Sequence, residues 1–87
     1  MARRDTLLTQ VLSGTADASI PFDRLRGLLR RLGFGERIRG SHHIFTRTDV
    51  DEILNLQPKG RTAKPYQVRQ VRAVIVKYRL AGGTNGE

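Results

Sequence analysis

At Gly33 the spacing of apolar residues changes from a helical period to a strand period. Before Gly33 the apolar residues form one helical stripe, composed of Phe22, Leu25, Leu28, Leu29 and Leu32. Beyond it, residues 34–39 alternate in the manner of a strand, and Gly40-Ser41 then separates them from residues 42–47, which are rich in aromatic and β-branched side chains. Because strands joined by so short a turn must pair antiparallel, the chain is predicted to be an α+β protein.

Similar patterns predict the elements on either side of this region. Apolar residues at helical spacing indicate a first helix near residues 3–13, followed by a polar linker. Residues 48–52 are predicted to form a polar turn, and residues 53–57 a third strand. Pro65 predicts the start of a last helix, since a first-turn residue needs no free amide hydrogen. The predicted architecture is α-α-β-β-β-α, a three-stranded antiparallel sheet with its helices packed on one face.

Length and composition limit the chain to one small domain. The 87 residues divide into an N-terminal helical extension and linker (1–20), a main domain (21–80) and a glycine-rich tail (81–87) that is predicted to be disordered. The absence of cysteine excludes disulfides, thiolate metal sites and a cysteine nucleophile. No apolar run reaches membrane-spanning length and no leader pattern is seen, so a cytoplasmic protein is expected.

The charge of the chain predicts a polyanionic or acidic partner. The net charge is +8 and the pI is about 11.3, which is high for so small a protein. Residues 57–80 hold seven lysines and arginines and no acid. Lys59, Arg61 and Lys64 lie just before a predicted helix N-terminus, where basic side chains and free amides both favour phosphate. Such contacts would be salt-dependent and not base-specific.

The only two histidines are adjacent and should occupy opposite faces of their strand. Side chains alternate along a strand, and Phe45 is the best core residue of this one. His43 shares the face of Phe45 and is expected to be partly buried and hydrogen-bonded. His42 shares the more open face with Ile44 and Thr46. Because an accessible imidazole can exchange protons near neutral pH, His42 is the better candidate for chemistry.

Arginines flank the histidine pair, and acidic residues do not accompany it. Arg39 precedes the pair and Arg47 follows it, so this strand should attract phosphate. Neighbouring strand residues point apart, so His42 and His43 cannot easily share one metal ion, and no carboxylate stands at a ligand spacing. We therefore expect neither a metal nor another cofactor.

The segment Arg39-Gly40-Ser41-His42-His43-Ile44-Phe45, with Leu32-Gly33-Phe34 before it and a closing helix after a basic loop, resembles the HicA toxin family. The resemblance covers roughly residues 22–80. It implies a fold like that of double-stranded-RNA-binding domains, cleavage of mRNA that inhibits translation, and a HicB-type antitoxin that covers the His42 face. It also implies that His42 is the active residue, because the family's histidine follows Gly-Ser.

Two departures from the family pattern affect these implications. Residues 1–20 precede the helix at which many members begin. Members also often carry a histidine in or just after the third strand, where this chain has Leu56-Gln57-Pro58-Lys59. Any second acid or base must therefore come from elsewhere.

The sequence thus predicts a metal-independent endoribonuclease of a toxin–antitoxin pair. His42 would act as general base or general acid, while Arg39 and Lys59 would stabilise charge in the transition state. The remaining candidates for RNA contact are His43, Arg47, Arg61 and Lys64. Two alternatives stay open: a non-catalytic RNA-binding module of the same fold, and a protein-interaction domain whose basic face docks an acidic partner.

Overall fold

The computed structural model describes residues 6–81, which contain three α-helices and two antiparallel sheets. In chain order the elements are α1 (Thr6–Ser13), a 3₁₀ helix (Asp17–Ser19), α2 (Phe22–Arg31), β1 (Gly35–Arg39), β2 (His42–Arg47), β3 (Val50–Leu56), β4 (Pro58–Lys59), β5 (Thr62–Ala63) and α3 (Pro65–Lys77). The three long strands pair in the order β1-β2-β3. The predicted α+β class and three-stranded antiparallel sheet are confirmed, whereas residues 3–5 of the predicted first helix and residues 82–87 of the predicted tail lie outside the described residues.

The helices cover one face of the three-stranded sheet and leave the other open. Phe45, Leu54 and Leu56 point to the covered face and are buried in a core to which all three helices contribute. Arg39 and Ile53 point to the opposite face and are exposed. The division follows from strand alternation, because successive residues of a strand face opposite sides.

The third strand starts earlier than its sequence predicts. The predicted polar turn over residues 48–52 is wrong, since the turn consists of Thr48 and Asp49. The third strand, predicted over residues 53–57, is present as β3 but begins at Val50 and ends at Leu56. Val50 is 6% exposed and belongs to the core. Its acidic neighbours make Val50 resemble a turn residue in the sequence, whereas its pairing with Arg47 places it in the sheet.

The acidic residues at the start of β3 are bonded to the end of α3. The Tyr78 hydroxyl donates to Glu52 Oε1 at 2.7 Å and accepts from the Asp51 amide at 3.1 Å. Lys77 Nζ donates to Glu52 Oε2 at 2.8 Å. The hydrogen bonds from Lys77 and Tyr78 lower the pKa of Glu52 to about 2, from an ordinary value of 4.5. Glu52 therefore stays ionised well into acid.

We expect this carboxylate to make the fold acid-sensitive. A folded-state pKa below the unfolded value stabilises the fold above pH 4.5, and that contribution is lost as the pH falls towards about 2. Replacing Glu52 with glutamine should therefore flatten the fall in the free energy of unfolding across this interval, as urea denaturation at several pH values would measure. Lys77→Gln should flatten it in the same direction. A Glu52→Gln protein with an unchanged pH profile would contradict the assignment.

Residues 58–64, which are predicted to be the basic loop before the last helix, contain a small hairpin. The short strands β4 and β5 pair through Pro58 with Ala63 and through Lys59 with Thr62. Backbone hydrogen bonds of 2.9 Å join this hairpin to the residues around the start of α2, with the Ala63 amide donating to the Ile20 carbonyl. The basic side chains of residues 58–64 are therefore carried on an ordered backbone.

The N-terminal helix belongs to the same core as α2, α3 and the three-stranded sheet. Leu7 and Val11 are 2% and 0% exposed and lie within the main apolar cluster. Arg72 of α3 holds the following segment, because its two terminal nitrogens donate to the Asp17 carboxylate at 2.9 and 3.1 Å. One of these nitrogens also donates to the Val11 carbonyl at 3.0 Å. This two-pronged contact requires the planar guanidinium of arginine.

Replacing Arg72 with lysine should reduce the free energy of unfolding by about 1–2 kcal/mol, although the charge is kept. A lysine cannot donate to both carboxylate oxygens and to the Val11 carbonyl in the same geometry. Arg69→Lys is the matched control, because Arg69 is exposed on the same helix. Urea denaturation of both variants measures the difference. Equal stability of the two would show that the Asp17 contact contributes nothing.

Candidate active site

The β1–β2 turn brings Arg39 and His42 together on the open face of the sheet. Gly40 adopts a φ of 60°, a left-handed conformation that is strained for most other residues, and so allows the tight turn. Arg39 and His42 are direct partners across the two strands. Partners of this kind lie side by side on one face. Both side chains are exposed, so an imidazole and a guanidinium stand next to each other in solvent.

Asn55 of β3 orients the His42 ring. His42 Nδ1 lies 3.1 Å from Asn55 Oδ1. An amide oxygen only accepts hydrogen bonds, so Nδ1 is the donor in this contact, which leaves Nε2 as the proton acceptor of the neutral ring. The exposed ring thus presents a proton acceptor on the side away from Asn55. This is the state that a general base requires.

Lys64 reaches the same end of the sheet through a glutamine. Lys64 Nζ donates to Gln57 Oε1 at 3.2 Å, and Gln57 Nε2 donates to Ser41 Oγ at 2.8 Å. Ser41 immediately precedes His42 in the turn. Of the basic residues singled out from the sequence, Arg39 and Lys64 are thus connected to the His42 turn by pairing or hydrogen bonds.

A shallow groove runs along the open face beside this site. Its lining includes Arg37, Arg39, Ile44, Thr46 and Ile53. Ile53 is 67% exposed, and Arg37 pairs directly with Ile44. The groove therefore has an apolar floor and a cationic edge. The residues that form both features belong to the three strands of the sheet.

His43 occupies the covered face and serves a different purpose. Its side chain is 13% exposed, and its Nδ1 lies 2.8 Å from Glu36 Oε2. The Phe22 ring packs edge-on at 5.0 Å. Burial raises the pKa of Glu36, but hydrogen bonds from Arg26 and His43 outweigh it and leave the pKa below its ordinary value. Glu36 is therefore a carboxylate that accepts from His43, and this contact ties β2 to β1 and α2.

The other sequence candidates lie outside the His42 site or on its edge. Arg47 is at the far end of β2, where it donates to the Leu32 carbonyl at 2.8 Å and pairs with Asp49 at 2.9 Å. Arg61 lines a separate groove that also includes His43. Lys59 is exposed on the β4–β5 hairpin. Arg47 and His43 thus have structural partners rather than a free face.

Sequence reasoning missed Asn55, Gln57 and Arg37. Alternation alone places Arg37 and Arg39 on the same face, so a stricter use of the strand period could have found Arg37. Asn55 and Gln57 could not be found in this way. Their relation to His42 depends on the register between β2 and β3, which residue spacing does not reveal.

Residues 6–81 contain no group of three or more histidines, cysteines, aspartates or glutamates that could hold a metal ion. Over the same residues, no helix is both long enough and apolar enough to cross a membrane. No protein-family model matches the chain, and neither a curated protein nor a solved structure matches it.

Proposed function

We propose that this protein is an endoribonuclease of the HicA type, the toxin of a type II toxin–antitoxin pair that cleaves mRNA and so inhibits translation. The observation that carries the proposal is the exposed His42 ring, whose Nδ1 is held by Asn55. Arg39 stands beside it on an open, cationic face. A positioned proton acceptor next to a phosphate-binding group is the arrangement that RNA cleavage by the neighbouring ribose hydroxyl uses.

In the proposed reaction His42 Nε2 removes the proton of a ribose 2′-hydroxyl. The 2′-oxygen then forms a bond to the adjacent phosphorus, and the bond from phosphorus to the 5′-oxygen breaks. The leaving 5′-oxygen takes a proton from the imidazolium or from water, which gives a 2′,3′-cyclic phosphate and a 5′-hydroxyl. Arg39 stabilises the extra negative charge of the transition state, and no step requires a metal ion.

The proposal includes a fold like that of double-stranded-RNA-binding domains and a protein partner. The groove beside His42 combines half-buried Ile44 and exposed Ile53 with Arg37 and Arg39. Such a surface suits an acidic protein that carries apolar side chains. A HicB-type antitoxin on this groove would cover His42 and keep RNA away. The protein would act in the cytoplasm, where it would meet both mRNA and the antitoxin.

A non-catalytic RNA-binding module is the second candidate. It is favoured by the same cationic face, because exposed arginines bind phosphate whether or not chemistry follows. The two candidates differ in one respect only, which is the appearance of cleaved RNA.

Purified protein is expected to cleave single-stranded RNA in the presence of excess EDTA and to leave 2′,3′-cyclic phosphate and 5′-hydroxyl ends. The matched control is the same RNA with every 2′-hydroxyl methylated, which should bind but remain intact because it lacks the attacking group. Gel analysis with end-group labelling measures both. Binding without cleavage would select the non-catalytic module, and inhibition by EDTA would contradict the metal-free reaction.

A further inference from the structure

A chain of two hydrogen bonds links the start of α3 to the histidine turn. Lys64 Nζ donates to Gln57 Oε1 at 3.2 Å, and Gln57 Nε2 donates to Ser41 Oγ at 2.8 Å. Gln57 thus uses both ends of its amide, one for each partner.

The backbone positions on each side of this chain are fixed. Leu56 is the last residue of β3 and pairs with His43. Gln57 therefore follows at the level of His42. On the other side, the Lys64 carbonyl accepts from the Gln67 and Val68 amides at 2.9 and 3.2 Å, so Lys64 caps α3. Gln57 directly follows a strand and Lys64 directly precedes a helix, which limits where the ammonium group can go.

The neutral partner of Lys64 leaves its charge available. Cations of the described residues that are paired with carboxylates include Arg26, Arg47, Arg72 and Lys77. Lys64 is instead held by an amide, which orients the ammonium group without cancelling its charge. An ammonium group has three N–H donors, so two remain after the bond to Gln57. Those two can reach the oxygens of a phosphate group.

We propose that Lys64 contacts the RNA phosphate next to His42, and that Gln57 is the positioning residue that holds Lys64 there. The inference rests on the proposed function and adds to it separate roles for the individual basic residues. Lys59 and Arg61, which precede Lys64 on the same hairpin and loop, contact the RNA backbone further away. Gln57 itself touches no reacting atom and acts through Lys64.

A double-mutant cycle tests this arrangement. Lys64→Met should slow single-turnover cleavage at saturating protein roughly tenfold, because one charge-assisted contact to the transition state is lost. Gln57→Leu should slow it roughly threefold to fivefold, since the lysine remains but is no longer held. The double variant should be no slower than Lys64→Met alone, because Gln57 has nothing left to position.

The control cycle pairs Gln57→Leu with Lys59→Met, which removes the same charge from an exposed residue nearby. Here the two effects should multiply. Thermal unfolding of every variant identifies a folding defect, and Ser41→Ala, which cuts the other end of the bridge, replaces Gln57→Leu if the leucine variant does not fold. Multiplying effects of Gln57 and Lys64, or a Lys64→Met protein of normal rate, would overturn the inference.

Binding of 2′-O-methylated RNA provides a second measurement that needs no cleavage. Lys64→Met should lower the salt dependence of the affinity by about 0.7 in the slope of log K against log salt, the value for one lost phosphate contact. Gln57→Leu should lower the affinity only when Lys64 is present. If the wild-type protein binds RNA without cleaving it, the proposed function fails, while this binding cycle still decides the roles of Lys64 and Gln57.

Discussion

Replacing His42 with alanine is expected to lower the rate of RNA cleavage by roughly 10²–10⁴-fold, the usual contribution of a positioned acid or base. The free energy of unfolding should change by no more than about 0.5 kcal/mol, because the side chain is exposed and its hydrogen bond to Asn55, at 3.1 Å, lies at the surface. RNA affinity should be retained, since Arg39 and Lys64 are unchanged. Single-turnover cleavage, urea denaturation and a binding assay with methylated RNA measure the three quantities.

His43→Gln is the matched control for this prediction. His43 is largely buried against Glu36 and Phe22, so its loss should reduce the free energy of unfolding by about 1–3 kcal/mol and leave cleavage by the folded protein near normal.

In bacteria, expression of the wild-type chain should arrest growth with loss of mRNA, and His42→Ala should not. Equal arrest by wild type and His42→Ala would move the chemistry away from His42.

Replacing Phe45 with alanine should have the largest effect on the fold. Phe45 is 0% exposed and lies at the centre of β2, two residues from His43 on the same face. Removal of a buried phenylalanine side chain reduces the free energy of unfolding by about 3–5 kcal/mol, through lost burial and the cavity that remains. Small domains have a total of about 5–15 kcal/mol, so the variant should melt far below the wild-type protein.

Ile53→Ala supplies the control for the packing prediction. Ile53 is on the adjacent strand but points to the open face, where it is 67% exposed. Its truncation should change the free energy of unfolding by less than about 0.5 kcal/mol. Circular dichroism melts of both variants give the comparison. Similar melting temperatures for Phe45→Ala and Ile53→Ala would contradict the assignment of the two faces.

Strand alternation was enough to separate the two histidines. The structure places His42 on the exposed face and His43 on the covered face, as a period of two requires once Phe45 is taken as core. Pro65 marks the start of α3, and Gly33 follows α2 with a φ of 95°. Each of these features depends on the residue itself and its immediate neighbours, so it could be predicted locally.

The start of β3 and the environment of Arg72 could not be predicted locally. Asp51 and Glu52 look like turn residues, but Tyr78 and Lys77, which is 25 residues from Glu52, supply their hydrogen bonds and allow a strand. Arg72 likewise bonds to Asp17, 55 residues away. A polar segment such as Asp51-Glu52 resembles a turn in the sequence because its hydrogen-bond partners are distant along the chain. Only the tertiary structure brings those partners next to it.

The sequence by itself determined the class of the fold, the faces of the histidine strand and the cationic character of the surface. Only the tertiary structure decided which residues join His42. Asn55 meets the imidazole because β2 and β3 pair in one register, and Gln57 meets Lys64 because β3 ends beside the start of α3. Register and helix packing depend on how the whole core fills, since a slip of one residue would turn every side chain of a strand to the other face.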